Sequence, residues 1–405
     1  MKNNVLFLGG NFPKELKEEI LANSRVRVQD AADNLQWALI EGLDMFFPDM
    51  QNVSAPDIYS WPKNYKSAFF RERLFSHNAK GKDIAVGFCN APLYNLLSRF
   101  RAIKRALFMW GDALPQEEQK TIIIYGLTTN RLLAACALKK RIPNVRIIQI
   151  VPDLPQFMSE SRNPLYRALK WIDFRFIKFG LKTTDGLVLL SEKMRKKLPI
   201  AHKPYRVVEG IFLPPGKEIF AEKESFTTIL YTGNLGVRSG VRMLLDAFSL
   251  IKGSNFRLWI RGEGVLENDV RNACEQDSRV TYLPRMSRNE ILETQKRATI
   301  LVNPVSPKEA YADYFFPSKT MEYLASGTAV VMFKLGCLPE EYFPHLYFPK
   351  ECSAQSLAET FVKISEMQTT ELLVRGSSAQ KFVLNDKSQK CQVQKIVDLI
   401  KEVSK

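Results

Sequence analysis

Long apolar runs are missing from this 405-residue chain, and none approaches the ~18–20 residues that cross a bilayer. The opening run Val5-Leu6-Phe7-Leu8 is too short for a signal-peptide core and meets Gly9-Gly10, so no export signal is expected. Cysteine is sparse. Its six copies (Cys89, Cys136, Cys274, Cys337, Cys352 and Cys391) show neither CxxC nor Cys/His ligand spacing. That argues against a zinc site or a disulfide framework and suits a reducing cytoplasm. Three histidines, far apart, make a His-rich metal centre an unfavourable reading. No low-complexity tract and no short-period repeat occurs, and no Asp-x-Asp triplet is present, so a metal held by that motif is not expected.

What remains is globular in character, with 45 % hydrophobic and 25 % charged residues. The length exceeds one ordinary core and fits two domains of roughly 200 residues. The formal net charge of +15 is uneven. Through Gly210 there are 33 Lys+Arg against 20 Asp+Glu; beyond it, 25 against 23. A basic first half beside a near-neutral second half suggests that one domain faces a polyanion or an anionic membrane, unless the charge is only solubilising.

Strand-like and helical patterns alternate twice. In the first half, buried-strand runs stand at Asn4–Leu8, Thr121–Tyr125, Val145–Ile150 and Asp185–Leu190, with a helix over Arg131–Lys140 and Ser191 placed to cap another from Glu192. The pattern lapses around Glu209–Glu224, which reads as a linker. It restarts with strands at Thr228–Tyr231, Phe256–Ile260, Val280–Leu283, Ile300–Val302 and Ala329–Val331, and helices between them. Such alternation predicts parallel sheets covered on both faces. The expected divisions are 1–210, 211–385 and a terminal helix in 386–405. Val393, Ile396, Val397 and Ile400 give that helix one apolar stripe. It either crosses back to the first domain or packs on its own.

The densest chemistry lies in Phe316–Gly327. Pro317 fixes a helix entry, Ser318 is of N-cap type, and the N–H groups of the first turn, around Lys319 and Thr320, are left to meet an anion such as a diphosphate. Glu322 follows one turn on, where a carboxylate can accept from two adjacent hydroxyls, as on a ribose. Any one of these residues also fits an ordinary capped αβ unit; their ordered combination is the signal.

With this run the chain resembles the retaining GT-B glycosyltransferases of family 4, the glycosyl transferases group 1 proteins. Other blocks follow in that family's order. Tyr231-Thr232-Gly233-Asn234-Leu235 with Gly240 is similar to its glycine-loop, and Leu258–Gly264, containing Arg261 and Gly262, to its strand-GxG turn. Val280–Met286 resembles the base-holding strand and loop, with Met286 at its end. The resemblance implies two Rossmann-like domains facing across a cleft, the second holding the nucleotide sugar. It implies transfer with retention, by a front-face route in which the leaving phosphate accepts the acceptor's proton. Two departures stand out. Tyr314 occupies the place of the family's first Glu, so only the ribose-binding Glu322 carries over. Asn234 and Ser239 replace the glycine-loop Arg and Lys, a charge that Arg238, Arg261 or Lys319 could restore; Lys319 and Arg238 sit where a loop meets a helix start.

The first domain would take the acceptor. Gly9, Gly10 and Asn11 end its first strand, where absent side chains permit close approach of donor or acceptor. Asp153, in the loop Val151–Pro155, either orients a hydroxyl in catalysis or merely forms a turn. Gly126 and Asn130 are candidates of the same kind. Between Arg162 and Lys182, basic residues alternate with large apolar ones, a pattern suited to a helix on an anionic surface or to a core helix with a basic wet side. Arg99–Arg105 adds a second basic cluster.

The expected activity is therefore hexosyl transfer (EC 2.4) from a UDP-, GDP- or dTDP-sugar, without metal or other cofactor. The acceptor is a saccharide, expected to be lipid-linked, for cell-surface polysaccharide or glycolipid assembly, by a cytoplasmic protein peripheral to the inner membrane face. A GT-B nucleotide-sugar epimerase and a non-catalytic nucleic-acid- or membrane-binding protein are the competing readings; no nucleic-acid motif supports the former partner.

Overall fold

The computed structural model describes residues 3–26, 28, 30–92, 94–154, 163–200, 202–217 and 219–405. It forms two units, one comprising 1–211 with 389–405 and the other 212–388. All six cysteines are free thiols.

The first unit holds strands β1 (Asn3–Gly9), β2 (Gln51–Ser54), β3 (Phe69–Phe70), β4 (Arg73–Phe75), β5 (Asp83–Ala85), β6 (Phe88–Cys89), β7 (Gln119–Tyr125), β8 (Val145–Val151), β9 (Gly186–Leu189) and β10 (Tyr205–Val207). Eight of them make one sheet in the order β10-β9-β8-β7-β1-β2-β5-β4, parallel except for the β4–β5 pair. β3 and β6 form a separate antiparallel pair. Its helices are α1 (Lys17–Asn23), α2 (Asp30–Asp44), α3 (Tyr94–Asp112), α4 (Thr129–Arg141) and α5 (Pro164–Leu181). The segment after β9 is a 3-10 turn over Glu192–Lys197, and Ser191 makes no side-chain cap to it. The expected capped α-helix is therefore corrected to a short 3-10 turn, whose i→i+3 bonding rarely extends beyond a few residues.

The second unit has α6 (Val241–Ser249), α7 (Glu267–Gln276), α8 (Arg288–Arg297), α9 (Lys319–Ala325), α10 (Ala354–Ser365) and α11 (Thr369–Lys381) around five parallel strands. These are β11 (Thr227–Thr232), β12 (Phe256–Arg261), β13 (Val280–Tyr282), β14 (Ile300–Asn303) and β15 (Ala329–Met332), in the order β13-β12-β11-β14-β15. β11 and β14 are buried throughout, as a parallel sheet covered on both faces requires. Val241, Leu244, Ala247 and Phe248 set one face of α6 into that core.

The last helix, α12 (Gln389–Val403), belongs to the first unit. Its stripe of Val393, Ile396, Val397, Leu399 and Ile400 packs with Leu39, Ile40 and Leu43 of α2 and with Phe7, Ile123 and Ile148 of the sheet. Each such fully buried aliphatic side chain contributes about 1.5–3 kcal/mol.

Candidate active site

In the second unit the chain runs outward from β11 to β12 and β13, then returns to add β14 and β15 on the other side. Strand order reverses between β11 and β14. Open α/β sheets bind ligands beyond the carboxyl ends of their strands at such a point. The loops that meet there are 233–240 after β11, 262–266 after β12 and 304–318 after β14.

These loops are pressed together. A Cβ on Gly262 would lie 1.9 Å from the carbonyl oxygen of Gly233, so only glycine permits this approach. Gly233 itself has φ +148°, and a Cβ there would meet the Lys319 ammonium at 2.6 Å. The Tyr311 hydroxyl of the β14 loop donates to the Arg238 carbonyl at 3.1 Å. Beneath the glycine-loop, Tyr323 of α9 accepts from the Thr232 N–H (2.9 Å) and lies 3.1 Å from its carbonyl, locking the end of β11 to α9.

Lys319 is the cation set against this loop. Its Nζ stands 4.0 Å above the ring of Tyr231, whose hydroxyl donates to the Asn234 carbonyl. Burial pushes the Lys319 ammonium down to about 7, while nearby Glu322 pulls it back up. A cation so desolvated gains most from an incoming anion. The other two cations are placed differently. Arg238 is 44 % exposed, 3.8 Å from Glu309 and stacked over Tyr311. Arg261 is mostly buried, with a guanidinium nitrogen 3.7 Å from Glu263.

Glu322 is oriented by a residue the sequence reading passed over. The Gln295 amide donates to its carboxylate at 2.6 Å, and Gln295 is fully buried on α8. Ser287 starts that helix with a capping box, donating its N–H to the Glu290 carboxylate and accepting from the Glu290 N–H. Nothing in the sequence singles out Gln295, because its partner is 27 residues away and only the fold brings them together. Met286, in the loop after β13, accepts weakly from Thr294 at 3.9 Å.

Two details of the 316–327 run differ from expectation. Ser318 already has helical dihedrals (φ −52°, ψ −34°) and no capping bond. The turn begins one residue earlier, where the buried Pro317 accepts at its carbonyl from the Thr320 N–H at 2.8 Å. Thr320 points inward, fully buried, with its hydroxyl 4.0 Å from the Met332 sulfur, so its side chain is not presented to a ligand.

In the first unit the glycine pair lies against side chains of its own unit. A Cβ on Gly10 would fall 2.0 Å from an Asp57 carboxylate oxygen and 2.2 Å from an Arg131 nitrogen; one on Gly9 would meet Gln36 at 2.5 Å. Side chains of the protein itself therefore occupy the space that a Cβ at either glycine would need. Asn11 is fully buried and its side-chain amide has no partner among the described residues. Arg131 bonds the carbonyls of Tyr125 and Ala55 and pairs with Asp57 at 2.5 Å. Asn130 accepts from the Arg131 N–H within the first turn of α4 and is buried, while Gly126 (φ +82°) turns the chain after β7. Asp153 follows β8 with part of its surface open to solvent, and desolvation by the surrounding protein raises its carboxyl pKa. Pro155 and Arg162, named in the sequence reading, lie outside the described residues.

Residues 227–367, within the second unit, match the model of a family described as glycosyl transferases group 1. Solved structures resemble the whole chain. Sucrose-phosphate synthase from Thermosynechococcus elongatus is 14 % identical with a TM-score of 0.64, over 99 % of each chain. The E. coli trehalose-6-phosphate protein bound with UDP-2-fluoro glucose is 11 % identical at TM-score 0.63, again over 99 % of each. Anabaena HepE in complex with UDP is 13 % identical at 0.62, covering 98 % of this chain and all of that one. The chain has the GT-B fold. Together with the family match, that fold supports a GT-B glycosyltransferase. A search of curated protein sequences finds no match.

Proposed function

We propose that this GT-B chain is a retaining, family 4-like glycosyltransferase that moves a hexose-like sugar from a nucleotide-sugar donor to a saccharide acceptor. The observation that carries the reading is the convergence of the 233–240 loop, Lys319 and the Gln295-held Glu322 at the switch point of a unit matching glycosyl transferases group 1. Cleavage of the donor's C1–O bond leaves negative charge on the departing diphosphate. Lys319 and the loop N–H groups would offset that charge, and such preorganised donors supply much of the catalysis at sites of this kind. The Glu322 carboxylate would accept from ribose hydroxyls, with Gln295 holding its other oxygen. Arg261 and Met286 would flank the base. The diphosphate itself would take the acceptor's proton, so no separate base is required.

The donor nucleoside is proposed to be uridine, since two of the similar structures hold UDP or a UDP-sugar analogue; GDP- and dTDP-sugars remain the comparison set. Because the chain has no Asp-x-Asp triplet, transfer is proposed to proceed without metal, leaving Lys319 as the charge partner. The first unit would take a lipid-linked saccharide in cell-surface glycan assembly, at the cytoplasmic face of the membrane, with Asp153 orienting the acceptor. Nothing favours the epimerase alternative: His77 is held between Asp44 and Asp83, and His345 is stacked on Phe382.

The test is a panel of UDP-, GDP- and dTDP-sugars against free and lipid-linked saccharides, with and without chelator. Nucleotide release and the anomeric configuration of the product are read. One donor should be turned over with retention and without metal. No release from any donor, or an inverted product, would overturn the reading.

A further inference from the structure

Helix α5 carries two exposed ridges side by side. Leu169, Ile172, Phe176 and Phe179, spaced three, four and three residues apart, fall on one line of the helix and are 51, 45, 49 and 62 % exposed. Beside them run Arg167, Arg175, Lys178 and the following Lys182, all exposed, with Trp171 (60 % exposed) among them. The opposite side holds Ile177, Gly180 and Leu181, which are buried. The helix is amphipathic twice over, once toward its own unit and once within its outer half.

The single acidic residue of α5, Asp173, accepts from the Thr129 hydroxyl of α4, against five Lys and Arg in Arg167–Lys182. Among the described residues no helix is long and apolar enough to cross a membrane.

We propose that this face of α5 is a docking surface for a bilayer rich in anionic lipid. A helix lying in the headgroup plane buries an apolar ridge to the acyl boundary, and its neighbouring Lys and Arg reach phosphates through their flexible stems. Side-by-side ridges parallel to the axis meet that geometry. Charge complementarity also selects this occupant. A second copy docked isologously would oppose basic ridge to basic ridge. Single-stranded nucleic acid would stack on Trp and Phe but finds no π-face on Leu169 or Ile172. The inference rests on the membrane-face placement proposed above and gives it a surface, while its test contains neither donor nor acceptor, so its failure and that of the transfer reading are distinguishable.

The experiment is co-sedimentation of the full chain with phosphatidylcholine vesicles, with vesicles also containing phosphatidylglycerol, and with an oligonucleotide control. Two variants are compared: Ile172→Ser with Phe176→Ser and Phe179→Ser, and Arg175→Gln with Lys178→Gln and Lys182→Gln. Every altered residue is exposed, so both should fold, which circular dichroism checks. The wild type should bind anionic vesicles, weakly bind neutral ones, and release in high salt. Each basic residue near such a surface is worth ~5-fold in partitioning, so the charge variant should bind roughly a hundredfold more weakly. The apolar variant should lose binding even at low salt. Failure to bind anionic vesicles would overturn the proposal. So would vesicle binding that neither variant weakens, a self-association abolished by the apolar variant without vesicle binding, or oligonucleotide binding in its place.

Discussion

Lys319 should make donor binding depend on pH in a direction set by its surroundings. Its ordinary pKa of about 10.5 falls to about 7 because the ammonium is desolvated beside Tyr231 and Gly233. Without ligand, about half the molecules carry that proton at pH 7, about a tenth at pH 8 and about a hundredth at pH 9. A bound diphosphate favours the charged form, so binding must draw a proton from solvent above neutrality. Affinity should therefore fall roughly tenfold per pH unit above 7, and proton uptake should rise from about one half at pH 7 toward one at pH 9. Isothermal titration with an intact nucleotide sugar, whose diphosphate does not titrate in this range, reads both quantities when run in buffers of different ionisation heat. Lys319→Met should bind more weakly at pH 7 and show no such slope. A flat affinity from about pH 7 to 9 in the wild type, or an equal slope in the variant, would refute the argument.

Further consequences can be checked directly. Glu322→Ala removes charge-assisted bonds worth about 1.5–3 kcal/mol, so donor affinity should drop roughly 10- to 150-fold while circular dichroism stays unchanged. Gln295→Leu leaves Glu322 in place but without its 2.6 Å partner, and a smaller loss, about tenfold, is expected in donor affinity. Gly262→Ala forces apart loops that approach within 1.9 Å of the added carbon; urea unfolding should show about 1–3 kcal/mol lost from the second unit. His77, buried between Asp83 (2.5 Å) and Asp44 (2.9 Å), has its pKa raised to about 9 by those hydrogen bonds against the opposing effect of burial. Its contribution is whole below its ordinary value and lost as pH rises through about 9. The stability difference between about pH 6 and pH 10 should thus be about 3 kcal/mol larger in the wild type than in His77→Gln.

The second unit was largely legible because its signals are local. A buried strand, a glycine turn and a helix start recur within short windows, and each block of the 227–332 segment formed the element its pattern implied. Lys319 and Glu322 belong to one continuous run, so their nearness needed no long-range knowledge. Gln295 and Tyr231 did: a side chain that meets its partner only through the fold leaves no mark in the sequence. Residues 69–89 were hardly read, since β3 to β6 are two or three residues long and too short to show a period, whereas α2 and α3 beside them were long enough and were passed over. The apolar stripe of α12 showed which side is buried but not what it is buried against. Ser318 was misjudged because residue type suggests a cap, whereas Pro317 sets where the turn begins. At Gly10 a sequence shows that space is needed, not that Asp57 and Arg131 stand beside it.

The central claim is that the end of the β11–β14 crevice holds a nucleoside diphosphate. Thermal shift with UDP, GDP and dTDP on the wild type and on Glu322→Ala tests it most directly. One nucleotide should raise the wild-type unfolding transition clearly and the variant's far less, with Lys319→Met also reduced. No shift of the wild type by any of the three, or equal shifts in wild type and variants, would contradict the account.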